Sequence, residues 1–354
     1  MHIHSLSLEQ IKGWLVEQGE KPFRAAQIFE WIYQKTISSW DEMSNISSSL
    51  KKTLSEHFTL SGLHLVKTEE SIDGQTIKFL WRLEDDKLVE SVLILAPGRQ
   101  TVCVSSQVGC PARCAFCASG KEGLIRSLSA YEIFEQVYLI QKFLAQKGQR
   151  VSNVVFMGMG EPLENYDQII KCIKLLCDPI RLNLAERKIT VSTVGIIEGI
   201  KKLAEEGLQI NLVLSLHAPN QHIRKKIIPF ARKYELADIL SSMLYYADKT
   251  GRDITYEYTL LKNINDQAEH AEELALLVKD HPCTVNLIPY NPVEGLHLQR
   301  PEKESIEGFR AILESKGIVV TWRYTKGKDI AAACGQLALK TEKDTLVSLP
   351  IKGS

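Results

Sequence analysis

A chain of 354 residues that is 44% hydrophobic is long enough for one large domain or two ordinary ones and apolar enough to bury a core, which excludes disorder as its main state. Its 43 basic and 43 acidic residues give a formal net charge of zero, so a grip on nucleic acid has to be local; nothing in the charge balance points to an oligomer, and a monomer is expected. No uninterrupted apolar run of about eighteen residues occurs and the amino terminus is charged where a secretory signal is apolar, so a cytoplasmic protein with no membrane association is expected.

The first sixty residues carry helical periodicity, with Leu6, Leu8, Ile11, Trp14 and Leu15 ahead of the break Gly19-Glu20-Lys21-Pro22 and Ile28, Phe29, Ile32 and Tyr33 behind it. Alternation follows at Ile77 to Trp81, after the turn pair Asp73-Gly74, and at Leu88 to Leu93, after Glu84-Asp85-Asp86, which predicts a small antiparallel unit. From about residue 100, β-branched runs at 101–108, 151–157, 188–194, 209–216, 253–261 and 284–289 alternate with helical patterns near 129–147, 165–177, 196–206, 234–249, 266–279 and 302–316, before a last strand at 318–324. Right-handed crossovers make such a sheet parallel, and about six β/α units of this regularity suit a barrel or part of one, with the active site at the carboxyl ends of the strands.

Eight cysteines are too sparse for a disulfide scaffold, and clustered thiols in a reducing compartment more often bind metal or do chemistry. Cys110, Cys114 and Cys117 form a C-x3-C-x2-C run in the loop after the first of the regular strands. Chance would place that spacing on the order of 0.004 times in such a chain. A structural zinc site is one reading, but it wants four ligands and the nearest further thiol, Cys103, lies on the preceding strand. Three thiolates on one loop suit a [4Fe-4S] cluster with one iron left for an outside ligand. Cys172, Cys177 and Cys283 read as small buried hydrophobes, as Cys103 and Cys334 do by default.

The cysteine run with Phe116 before its third member resembles the radical S-adenosylmethionine (SAM) superfamily. Ser105 to Cys110, Met157-Gly-Met-Gly-Glu161-Pro162-Leu163, Ser215-Leu-His217-Ala-Pro219, Asn286 to Pro292 and Ala331-Ala-Ala-Cys334-Gly-Gln-Leu337 together resemble its RlmN/Cfr family of RNA adenine methyltransferases. So does Gly19 to Ile28 with Trp31-Ile-Tyr33, and the resemblance spans nearly the whole chain. It implies a partial (β/α)6 TIM-like radical SAM barrel at 96–335, a helical RNA-binding accessory domain at 1–60, an antiparallel β extension at 61–95 and a tail at 336–354. It also implies a [4Fe-4S] cluster on Cys110, Cys114 and Cys117, two SAM per turnover, and a reductant such as flavodoxin or ferredoxin.

On their own, Gly158, Gly160 and Glu161 after a strand read as a turn, His217 as a hydrogen-bonded core histidine and Glu90 as an acidic residue on an exposed strand face. The resemblance assigns more: Gly160, Glu161, Ser192, Ser215, Leu216, His217 and Asn291 bind SAM, with His217 in a binding and not a catalytic role. Cys334 becomes the S-methylcysteine that carries the one-carbon unit, Cys103 the thiol that resolves it through a transient disulfide, and Glu90 the proton acceptor. The implied reaction methylates carbon 2 of adenosine in 23S rRNA, at the peptidyl-transferase centre, and of the adenosine 3′ to the anticodon in tRNA. The target base has to be unstacked to reach Cys334. Arg224-Lys225-Lys226 with Arg232-Lys233, and Arg323, Lys326 and Lys328 beside the Cys334 loop, are candidate phosphate contacts, although short charge runs are commonly solvated faces. The alternatives are another radical SAM enzyme with a different substrate, including a Cfr-like adenine-C8 rRNA methyltransferase, which shares the cluster, and a zinc-stabilised RNA-binding module without catalysis.

Overall fold

Ser7 starts the first helix by a capping box: its hydroxyl accepts from the Gln10 N–H at 3.2 Å while the Gln10 side chain accepts from the Ser7 N–H at 2.8 Å. In the computed structural model, which describes residues 1–322 and 326–338, this helix is α1 (Leu8–Glu17), followed by α2 (Arg24–Phe29), a π-helical turn at 30–34 and α3 (Ser48–His57). The apolar positions of the periodic pattern, Ile11, Leu15, Ile28, Phe29, Ile32 and Tyr33, are all buried.

Three antiparallel strands come next, β1 (His64–Glu70), β2 (Thr76–Arg82) and β3 (Leu88–Ala96), and β3 pairs antiparallel with β4 (Arg99–Cys103). β1 has no counterpart among the strands expected from sequence. It is an edge strand whose Lys67, Glu69 and Glu70 keep it from the apolar alternation that marks inner strands. The expected strand at 101–108 is a second difference. Sheet pairing ends at Cys103, and Gln107–Gly109 (β5) forms a separate two-stranded ribbon with Leu124–Ser127 (β6). Gly109 permits the change of direction: its φ is +78°, and a Cβ there would lie 2.0 Å from the Gly123 carbonyl oxygen.

The regular alternation then runs through α4 (Ala130–Ala145), β7 (Asn153–Phe156), α5 (Tyr166–Cys177), β8 (Ile189–Thr193), α6 (Ile197–Glu205), β9 (Asn211–Ser215), α7 (Gln221–Ile227), α8 (Leu236–Thr250), β10 (Ile254–Leu260), α9 (Ala268–Val278), β11 (Cys283–Pro289), α10 (Lys303–Ser315) and β12 (Val319–Trp322). Residues Arg323 and Tyr324, at the end of the expected last strand, lie outside the described residues, as does the tail beyond 338. The sheet order is β1-β2-β3-β4-β7-β8-β9-β10-β11-β12, parallel from β4 onward and without pairing between its two ends among the described residues. This is a partial barrel whose antiparallel strands extend one edge. Among the described residues no helix is long and apolar enough to cross a membrane.

The amino-terminal helices are joined to the barrel by one buried guanidinium. Arg181, in the loop after α5, is 3% exposed and donates to the carbonyl oxygens of His4 (3.1 Å) and Leu6 (2.5 Å) and to the Tyr33 hydroxyl. It pairs with Asp178 and lies over the rings of Phe29, Tyr33 and Phe134. Removing it strands two buried carbonyls as well as the stacked rings. Arg181→Ala should therefore lose on the order of 3 kcal/mol of stability by denaturant unfolding, whereas a loss below about 0.5 kcal/mol, typical of a surface change, would contradict the latch.

Candidate active site

Two adjoining cavities open inside the curve of the sheet, at the carboxyl ends of its parallel strands. The smaller, about 120 Å³, is lined by Cys110, Cys114 and Cys117 together with Gly160, Glu161, Ser192, Ser215, His217, Asn291 and Cys334. The larger, about 300 Å³, contains Cys103, Cys117, Asn291, Lys326 and Cys334, over an apolar wall that includes Val92, Ile94, Val155 and Ile288. Cys117, Asn291 and Cys334 line both.

The cysteine loop is held by its backbone. Cys110 N–H donates to Gly123 O (3.0 Å), Cys117 N–H to Cys114 O (3.1 Å), and Ala115 N–H to Ile227 O at the end of α7 (2.8 Å). Burial pushes the Cys110 thiol up to about 12, burial and the two neighbouring thiols push Cys114 well above its ordinary value, and burial raises Cys117. A cationic metal centre reverses that preference for the neutral thiol. Among the described residues no three His, Cys, Asp or Glu side chains converge as on a single metal ion. The three thiols share the wall of one cavity instead, and this donor set fits a polynuclear cluster with each thiolate on a separate iron.

Gly160 has a φ of +109°, and a Cβ there would meet Ser106 Oγ at 2.6 Å and Gln107 Cβ at 2.7 Å. The Gly-rich stretch after β7 can lie against the 104–107 segment only because it lacks side chains. Glu161 is 2% exposed; its carboxylate accepts from Leu163 N–H (3.1 Å) and Val194 N–H (2.9 Å), while burial raises it to about 7. Ser192 and Ser215 hydroxyls are 3.2 Å apart. His217 has a φ of +54° and accepts from Thr259 N–H through Nδ1 at 2.9 Å, which puts the proton of the neutral ring on Nε2. Burial lowers its pKa to about 3, and it meets Phe116 edge to face with centroids 4.8 Å apart. Asn291 donates to Cys334 O at 3.2 Å, and its Oδ1 is buried without a partner, the kind of atom a bound polar ligand satisfies. Leu216 is the one residue of this expected set outside the cavity wall: it is fully buried, with its N–H on Glu257 O at 3.0 Å.

Cys103 ends β4 directly opposite Val92 on β3, and the segment 326–338 crosses the inner face of the antiparallel strands to bring Cys334 into the cavity that Cys103 also lines. Both ends of this strap are bonded to what lies on either side. Lys326 Nζ donates to Leu95 O (3.0 Å) and Ile72 N–H to Asp329 Oδ2 (2.8 Å) on the strand side, while Ala118 N–H donates to Gly335 O (2.8 Å) and Ser119 Oγ to Leu337 O (2.6 Å) from the cysteine loop. Cys334 itself is exposed.

Glu90 is not on an exposed strand face: it is 1% exposed, because the strap covers that side of β3. Its Oε2 accepts from Ala338 N–H at 3.0 Å and its Oε1 lies 3.4 Å from Lys78 Nζ, which reaches on to Glu69 at 2.9 Å. Lys78, a single cation inside the alternating run 76–82, is a partner of Glu90 that periodicity alone passes over, and neither side chain is in the wall of either cavity; the hairpin register, pairing Leu80 with Glu90 and Glu69 with Lys78, is the signal that exposes it.

The proposed phosphate cluster after β9 is also corrected. Arg224 is fully buried and Lys225 pairs with Glu235 (2.9 Å), leaving Lys226, Arg232 and Lys233 as its exposed cations with no ion pair among the described residues, Lys233 lying over Phe230 and Tyr234. Arg323 lies outside the described residues, and Lys328 is exposed.

The ribosomal RNA large subunit methyltransferase N-terminal domain matches residues 1–60 and the radical SAM superfamily matches 104–275. A protein of Protochlamydia amoebophila named probable dual-specificity RNA methyltransferase RlmN 2 is 60% identical over 343 residues, covering 97% of this chain and 96% of its own. The Bacillus subtilis protein named probable dual-specificity RNA methyltransferase RlmN is 46% identical, covering 97% and 94%. The crystal structure of a radical SAM methyltransferase from Sphaerobacter thermophilus superposes with a TM-score of 0.93 at 40% identity, over 95% of this chain and 99% of that one. Gly160→Ala, which forces a Cβ against Ser106 and Gln107, should weaken SAM binding by about tenfold or more in equilibrium dialysis, about 1.4 kcal/mol, and unchanged affinity would show that this turn does not shape the ligand cavity.

Proposed function

The chain belongs to the RlmN family of the radical SAM superfamily, and we propose that it methylates carbon 2 of adenosine in 23S rRNA, at the peptidyl-transferase centre, and of the adenosine 3′ to the anticodon in tRNA. The observation that carries this reading is the meeting of Cys103 and Cys334 in one cavity whose wall also includes Cys117 of the cysteine loop.

Cys110, Cys114 and Cys117 would hold the [4Fe-4S] cluster and Gly160, Glu161, Ser192, Ser215, His217 and Asn291 the SAM, with Leu216 contributing from behind the wall; together these cofactors supply one-electron cleavage and a one-carbon unit. Carbon 2 of adenine is electron-poor and has no lone pair, so a methyl group cannot simply be transferred to it as to a nucleophile. Two thiols answer that difficulty. Cys334, exposed at the junction of the cavities, gives up its proton and carries the one-carbon unit as a thioether. Once that carbon is joined to the base, Glu90 accepts the proton lost from C2, and its link to Ala338 ties it to the segment that bears Cys334. The Cys103 thiolate then attacks Cys334 Sγ; the sulfur–carbon bond breaks with its electron pair passing to the methylene carbon, which takes up a proton to become the methyl group, the methylated base leaves, and a Cys103–Cys334 disulfide remains for cellular thiols to reduce.

RNA reaches this cavity with its target base flipped out. The accessory helices of 1–60 are the proposed RNA-binding domain, residues 61–95 the extension, 96–335 the radical SAM core and 336–354 the tail. A flavodoxin- or ferredoxin-like reductant, a cytoplasmic location and a monomeric state complete the reading.

Mass mapping of methyladenosine in rRNA and tRNA from cells with and without the protein tests it: a methyl group at C2 is expected, and one at C8 would assign the Cfr-like alternative. Cys334→Ala should retain cluster iron and lose RNA methylation by at least about a thousandfold, as expected when a covalent carrier is removed. With Cys103→Ala, a covalent protein–RNA adduct should accumulate on denaturing gels, because nothing releases the thioether; free product at the normal rate would remove Cys103 from the reaction.

A further inference from the structure

Arg224 heads the largest fully buried side chains among the described residues, yet it is a cation. Its Nε donates to Leu216 O at 3.2 Å, and its Nη2 donates to Val194 O at 2.6 Å and Ser215 O at 3.2 Å. These are carbonyls just beyond β8 and at the end of β9, beside the cofactor cavity. No ion pair joins it to a carboxylate among the described residues. A guanidinium with only neutral acceptors around it is costly to bury, and such a charge persists where an anion nearby repays the desolvation.

Val194 and Ser215, whose carbonyls it holds, line the cavity that also contains Cys110, Cys114, Cys117 and Glu161. The helix that carries Arg224 also carries the loop, through the Ala115 N–H bond to Ile227 O at 2.8 Å. Lys225, on the same helix, is engaged with Glu235 at the surface, so the neighbouring cation does not share this position. A four-iron core held by three thiolates is anionic when oxidised and more anionic after taking up one electron. A fixed positive charge in a dry, low-dielectric wall favours the second state over the first.

We propose that Arg224 is a positioning residue whose buried charge counterbalances the cluster bound at Cys110, Cys114 and Cys117 and raises its reduction potential. The proposal rests on the cluster assignment made above. It gives Arg224 a task opposite to RNA binding: the charge is buried behind the wall of the cavity that the three cysteines line and is hidden from any polyanion outside.

Arg224→Gln keeps hydrogen bonding without the charge, and Arg224→Lys keeps the charge without the fork. Each full-length variant is reconstituted anaerobically, its iron and sulfide are measured, and the cluster is titrated by EPR against mediators with dithionite as electron donor. Arg224→Gln should shift the one-electron equilibrium at least about tenfold toward the oxidised form, 59 mV to more negative potential, with Arg224→Lys close to the wild type. A wild-type potential in a fully loaded Arg224→Gln protein overturns the proposal, as does a Lys variant displaced as far as Gln. If Gln assembles no cluster while Lys does so at the wild-type potential, the charge assignment stands; if neither assembles one, the fork and not its charge is what matters, and the proposal falls. Absence of a cluster in the wild type would instead remove the assignment on which it rests.

Discussion

A sheet that curves without closing needs something to cover its concave face, and the segment 326–338 does so here. Its bonds to Leu95, Ile72 and Glu90 on one side and to Ala118, Ser119, Asn291 and Pro292 on the other make it the piece that completes the interior. The same covering buries Glu90 and Lys78, sets Cys334 between the two cavities and gives the cysteine loop a partner beyond its own backbone. In a closed barrel these side chains would be replaced by layered apolar packing. The open edge is thus the geometric reason that two thiols distant in sequence face one space.

The cofactor cavity shows a complementary principle. Several of its polar groups are held by backbone and not by one another, Glu161 by two N–H groups and His217 by Thr259 N–H, and behind its wall Arg224 is held by three carbonyls. Each therefore keeps its orientation independently of whether a ligand is present, which is what preorganisation requires of a polar wall.

Much of the barrel was legible because its inner strands are β-branched and its crossovers amphipathic; 189–193, 254–260 and 283–289 fall within the expected runs to within a residue or two. The edge strand β1 was hidden by its charged residues, and the break after Cys103 by a continuous run of strand-forming types whose change of direction depends on Gly109. At the site, Cys110, Cys114, Cys117, Gly160 and His217 stand out by spacing or by position at strand ends. Glu90 and Arg224 did not, because burial by a remote segment or by the opposite face of a seven-residue helix leaves no periodic trace. A run of cations reads as solvated until the fold shows that one member points inward.

The Arg181 latch has a consequence for recognition. With the guanidinium bonded to His4 and Leu6 and stacked among three aromatic rings, the amino-terminal helices cannot pivot on the barrel without baring a charge and two carbonyls to an apolar seam. If residues 1–60 bind RNA as proposed, they and the barrel present it with a fixed spacing, and deformation on docking falls to the nucleic acid. Under that proposal, discrimination among folded targets is a matter of which backbones bend cheaply enough to fit between the two.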